Sequence, residues 1–200
     1  MTSIDLTPNI GPARDQGKRP TCLSFAMSDT HQIARQHPDF LSPECLHTRT
    51  AAKLGKPADQ AVNVIAMSAV MSSLGQLEEN SWPYGGYEGP GTSHKANATP
   101  VNFDPSVVEQ TLKNGIAIGV ALGIGVEFYT PSPAGLTASM HTQAVANHAV
   151  VIVGMTATPK KMFLVRNSWG PAWAQNGHAW CDESYLSLTA KYLIFVRATP

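Results

Sequence analysis

The sequence predicts an α+β protein of two layers or lobes. Three observations carry this: apolar residues at helical spacing in the first half, short apolar runs of strand length in the second, and a Gly/Pro-rich polar stretch between them. With 200 residues and 43% apolar content the chain can bury a core, which excludes disorder of the whole chain.

The first helix is expected over Cys22 to His37, "CLSFAMSDTHQIARQH". Leu23, Phe25, Ala26, Ile33 and Ala34 fall on mostly helical spacing, and Pro38 stops it. A second helix runs from Ser42 to Leu54, with Ser42 as N-cap and Pro43 at the first helical position. A third spans Asp59 to Leu74 and ends at Gly75; its Met and Val residues read as core. Residues 85–105 read as a long loop and the internal boundary. A short helix, Ser106 to Asn114, then precedes five strand-like runs: "IAIGVALGI", "NHAVVIVGM", "KMFLVRNS", "GHAWC" and "YLIFVRA".

Composition narrows the function. Fourteen basic residues balance fourteen acidic ones, so no basic surplus points to nucleic acid or an anionic membrane as partner. The longest apolar runs are too short to span a bilayer, and the start lacks a charged segment followed by an apolar one, so no signal peptide is expected. Three cysteines (Cys22, Cys45, Cys181) cannot all pair within one chain. There is no CxxC, and the seven histidines show no HExxH, so neither a metal site nor a cofactor is expected.

Cysteine chemistry needs four parts: a thiol that ionises, a histidine to hold the proton, a group to orient that histidine, and donors where the oxyanion forms. Cys22 opens the first helix, whose positive end favours a thiolate. The competing reading is a buried small residue. Gln16, six residues earlier in "RDQG", offers a side-chain amide. His148 follows Cys22 by 126 residues, in an apolar strand, and Asn167 follows His148 by 19.

Here the sequence resembles the papain-like cysteine peptidases, whose pattern sets a cysteine near the mature N-terminus and His and Asn some 130–150 residues on. "RDQG" with "TCLSF" is similar to the family's DQG…CW[AS]F, "LSPECL" to LS[EP]QxL, and "SWPY" to its YPY turn. "NHAVVIVGM" and "FLVRNSWGPAWAQNGH" are similar to [DN]HAVxxVGY and [IL]xKNSWGxxWGxxGY. The segments come in family order and cover nearly the whole chain. The resemblance implies a helical left lobe (about 12–100) and a β-barrel-like right lobe (about 101–200) in one domain, 1–200, with the cleft between them. It implies Cys22 as nucleophile, His148 as its proton partner, Asn167 orienting the imidazole, Gln16 in the oxyanion hole, and Trp169 covering the His–Asn bond. It also implies a substrate pocket at Ala121, Ala146, Asn147 and Ala149, roomy and uncharged, that prefers a hydrophobic side chain at the second residue before the scissile bond.

The sequence departs from the pattern in several places. Arg19 stands where the family has its first disulfide cysteine, Leu23 replaces the tryptophan after the nucleophile, and the glycine-rich substrate loop has no match before Asp59. Cys45 and Cys181 read as buried free thiols. Lys18 and Arg19 either lower the pKa of Cys22 or are simply solvated.

The reading is therefore a cysteine endopeptidase acting on peptide or protein substrates. Its alternatives are another Cys–His acyl transfer (transglutaminase, ligase or deamidase, as in an effector toxin) and a non-enzymatic papain-like binding module. "RDQG" starts so early that no propeptide is expected. Control would then rest on narrow specificity, a separate inhibitor or immunity protein, or export without a signal peptide; the other reading is a domain of a longer protein. The cysteine usage suits a microbial, cytoplasmic enzyme.

Overall fold

The long strand β4 (Ala146–Thr156) organises the right-hand part of the chain. One edge of it pairs with β5 (Met162–Arg166). The other is shared by β3 (Ile118–Ile124) and, further along, β1 (Ser3–Asp5). The rest of the sheet adds β6 (His178–Asp182) beyond β5, and β7 (Ala190–Ala198) then β2 (Ala96–Val101) beyond β3; every named pair is antiparallel. β1 crosses β4 so closely that a Cβ on Gly154 would lie 2.6 Å from the Ile4 carbonyl oxygen, which explains a glycine inside an otherwise bulky strand. This is the computed structural model of the chain, and it describes residues 3–199.

The left-hand part is built from α1 (Cys22–Arg35), α2 (Pro43–Lys53) and α3 (Val64–Ser73). α1 is buried from Leu23 through Ile33, because it packs on α2 on one side and on β3, β4 and β7 on the other. A helix buried on all sides must satisfy its polar residues internally. Ser28 and Thr30 donate to carbonyls one turn back, Ser24 bonds His47 at 3.0 Å, and His31 bonds Gln76 at 3.1 Å. Asp29 accepts from Arg166 at 2.7 Å and from Arg14, and Arg166 also donates to the Gly11 and Pro12 carbonyls. Burial opposes the charge on Asp29, but the two guanidinium groups outweigh it and hold the carboxyl below its usual range. Arg166 immediately precedes Asn167, so this network ties the middle of α1 to the end of β5.

The second helix matches its expected cap: the Ser42 side chain accepts from Cys45 N–H at 3.0 Å, with Pro43 at the first helical position. Five features differ from expectation. α1 stops at Arg35, because Gln36 turns left-handed (φ 52°). The third helix starts at Val64 rather than Asp59, because the Asn63 side chain caps it by accepting from Ala66 N–H. The expected loop 85–105 contains β2, which hydrogen-bonds along β7. A further helix, α5 (Glu183–Thr189), begins at Asp182, whose carboxylate accepts from Tyr185 N–H. The short helix expected at 106 begins one residue earlier, as α4 (Pro105–Lys113), capped by Asp104. Gly75 follows α3 with φ +72°, and a Cβ there would meet the His94 carbonyl oxygen at 2.7 Å. Among the described residues no helix is long and apolar enough to cross a membrane.

Candidate active site

The N-terminus of α1 meets the start of β4 at a cavity of about 420 Å³. Gln16, Cys22, Ala121, Ala146, Asn147, His148, Ala149 and Trp169 all line it, so the structure brings together every residue the resemblance assigned to the catalytic site or pocket except Asn167. Asn167 lies behind His148, almost fully buried, and reaches the site through that ring.

The orientation of the imidazole follows from hydrogen-bond bookkeeping. Asn167 Oδ1 accepts from Ser168 N–H at 2.8 Å, which fixes the oxygen end of the amide. His148 Nε2 lies 2.7 Å from the same oxygen and is therefore the donor. The neutral ring then carries its proton on Nε2 and keeps the Nδ1 lone pair free. The Trp169 ring lies 4.6 Å from the His148 ring, and Phe128 meets the imidazole edge-on at 5.8 Å. These aromatics shield the His–Asn bond from water, where it is stronger than in solvent.

Gln16 is held at both ends. Its Oε1 accepts from Ser168 Oγ at 2.7 Å, and its Nε2 donates one hydrogen to the Arg19 carbonyl at 2.8 Å, leaving a second hydrogen at the cavity. Tyr84, the tyrosine of "SWPY", donates its hydroxyl to the Gln16 carbonyl oxygen at 2.8 Å and also lies 2.8 Å from Thr21 Oγ1. One side chain thus braces both the glutamine and the residue before Cys22. Its role was not visible in the sequence, because it depends on a contact across 63 residues.

Burial pushes the Cys22 thiol up, against the backbone N–H groups of Ala149, Leu23 and Cys22 itself. Burial also lowers His148 to about 4, opposed by its bond to Asn167. The expected lowering of Cys22 by the helix end alone is thus outweighed by desolvation. Arg19 does not supply it either, since its guanidinium is bound to Glu44 and lies over the Tyr84 ring. Cys45 and Cys181 are buried and unpaired as expected, and burial raises both thiols.

Ala61, Val62 and Asn63 supply the wall that had no sequence match, and Pro20, Leu23, Ile124, Tyr129 and Tyr192 complete the lining. Val62 and Tyr192 were missed because nothing local marks them. Tyr192 enters through β7, whose register sets it opposite Ala121.

A cysteine and a histidine in one cleft, with the histidine bonded to a buried asparagine, between a helical part and an antiparallel sheet, is the arrangement of papain-type thiol proteases. The chain matches the papain family of cysteine proteases over residues 2–186 and belongs to that family. It is 28% identical over 187 residues to germination-specific cysteine protease 1 of Arabidopsis thaliana, covering 84% of this chain and 48% of that one. Zingipain-2 of Zingiber officinale is 29% identical over 198 residues, with 88% of this chain and 85% of that protein covered. The chain spans about half the length of most of these plant relatives. In fold it is similar to xylellain, a cysteine protease from Xylella fastidiosa, with a TM-score of 0.82 at 20% identity over 99% of this chain and 86% of that one. Procathepsin L 3 of Tenebrio molitor shares the fold with a TM-score of 0.76 at 18% identity, covering 98% and 70%.

Proposed function

We propose that the chain is a cysteine endopeptidase working through a thioacyl-enzyme on Cys22. The observation that carries this is the His148–Asn167 bond beside Cys22 in the cleft, with a donor, Gln16, lining the same space. In this reading the Cys22 proton passes to His148 Nδ1. Each burial shift above is the cost of a lone charge in a dry cleft. Proton transfer from one group to the other creates both charges side by side, and their attraction offsets that cost.

The thiolate adds to the scissile carbonyl carbon, and the carbonyl π pair moves onto oxygen. The second hydrogen of Gln16 Nε2 and the Cys22 backbone N–H, unused by any helical bond at this first-turn position, stabilise the oxyanion. Collapse expels the amine, which takes the proton from His148, and leaves the thioester. Water then attacks with His148 as base, the thiolate leaves, and the acid product departs. Asn167 holds the ring so that one tautomer serves both steps.

Ala121, Ala146, Ala149 and the neutral Asn147, with Tyr192 beside Ala121, form the strand side of the substrate pocket, and Val62 comes from the segment ahead of α3. The lining is chiefly apolar and favours an apolar side chain near the scissile bond. Peptide and protein chains are the substrates, and a separate inhibitory protein is a fitting partner. Incubation with a peptide library, read by mass spectrometry, tests the reading. The native chain yields new carboxyl termini, and Cys22→Ala lowers turnover by at least about 10⁴. Products that consume an added amine instead identify acyl transfer to nitrogen, and cleavage retained by purified Cys22→Ala contradicts the role given to the thiol.

A further inference from the structure

We propose that His37, Glu78 and His94 form a zinc-binding site on the helical part of the molecule, on residues that take no part in lining the cleft. The three ligand atoms lie within 4.8 Å of one another, contributed by the chain just past α1 and by two positions in the irregular segment after α3. Glu78 Oε1 is 3.4 Å from His37 Nε2 and 3.2 Å from His94 Nε2. The His94 contact is an ordinary hydrogen bond, Nε2–H donating to Glu78 Oε1, and is longer than the about 2.7–2.9 Å of a charge-assisted one. The edge of a tetrahedron with bonds of about 2.0–2.1 Å is about 3.3 Å, so these separations already match two ligand–ligand edges of a zinc site. Two imidazoles and one carboxylate are a ligand set for zinc, with the fourth position left to solvent on the exposed side of Glu78.

The surroundings hold the three groups in place. Glu78 is fixed by the backbone bridge to Leu41, and His94 by its bridge to Gln76. The His37 ring is pinned at Nδ1 by the backbone of Asp39, 3.0 Å from its carbonyl oxygen, and the two rings meet edge-on at 4.7 Å. One group opposes the cation: Arg35 Nε donates to His94 Nδ1 at 3.2 Å. The neutral ring therefore carries its proton on Nε2. Zinc takes the Nε2 lone pair, so binding moves that proton to Nδ1 and turns Arg35 away. A bound cation would tie the exit of α1 to the segment that carries Tyr84, and so brace the helical part from outside. Spacing alone hid the set, because residues 37, 78 and 94 form no compact motif.

Zn²⁺ titrated into the Cys22→Ala chain against a chromophoric chelator tests this without interference from the cleft thiol, and without reference to peptidase activity. The expected result is one bound Zn²⁺ per chain, an affinity at least about tenfold weaker in His37→Ala and Glu78→Gln, and a tighter one in Arg35→Ala. Saturating Zn²⁺ should raise the thermal midpoint of the Cys22→Ala chain by about 5 °C, and that of His37→Ala by much less. Co²⁺ in place of Zn²⁺ should give the intense visible bands of a tetrahedral centre. Binding that His37→Ala and Glu78→Gln leave unchanged, binding that Arg35→Ala weakens, or no saturable binding below millimolar Zn²⁺ overturns the site.

Discussion

Ala121 and Ala149 stand directly opposite each other on adjacent strands, with Tyr192 on the far side of Ala121, whereas Ala61, Val62 and Asn63 reach the same cavity from an irregular segment ahead of α3. On the strand side, position along the chain sets position in the cleft, because antiparallel register fixes which residues are neighbours. On the loop side, place is set by the cap at Asn63 and by what α3 packs against, and neither follows a period. The strand wall is therefore held by its register, and in the proposed reading its residues set the specificity; the loop wall has no such register to hold it.

The comparison can be tested in a graded series. Gln16→Ala removes a donor fixed at both ends between the two walls, and kcat should fall by about 10²–10³. A raised KM with unchanged kcat would make Gln16 a ground-state binding group instead. Ala121→Leu fills the strand wall, and kcat/KM for peptides with a large apolar residue at the second position before the scissile bond should fall about 10–100-fold, with small residues there spared. Val62→Ala on the loop wall should change the same profile less than about tenfold. If Val62→Ala reshaped specificity more than Ala121→Leu, the ranking of the walls would be reversed.

How much was legible follows the same division. That Cys22, His148, Asn167 and Gln16 converge on one site could be read because each sits in a short, distinctive segment: the helix start, the strand, the turn after β5. The Ser42 cap and Pro43 gave the second helix for the same local reason. β2 was hidden because its partner is β7, nearly a hundred residues away, and its own residues, "ANATPV", are small or polar with a proline among them. The start of the third helix was misread at Asp59, since Asp and Asn are both good caps and only packing chose Asn63. The expectation for the Cys22 pKa considered the helix end and nearby cations but not burial. Arg19 was already bound to Glu44, and desolvation dominates.

The central claim is that Cys22 and His148 act as one proton-sharing pair. The rate at which an alkylating reagent modifies each thiol, followed from about pH 4 to pH 10 in the native chain and in His148→Ala, tests it most directly. The account predicts that Cys22 in the native chain already reacts at a steady rate near about pH 6, because the imidazole holds its proton. In His148→Ala the same thiol should react only in alkaline solution, since burial alone raises it. Cys45 and Cys181 should stay slow in both. Identical profiles for Cys22 in the two proteins, rising together near about pH 8.5 as for a free thiol, would contradict the pairing.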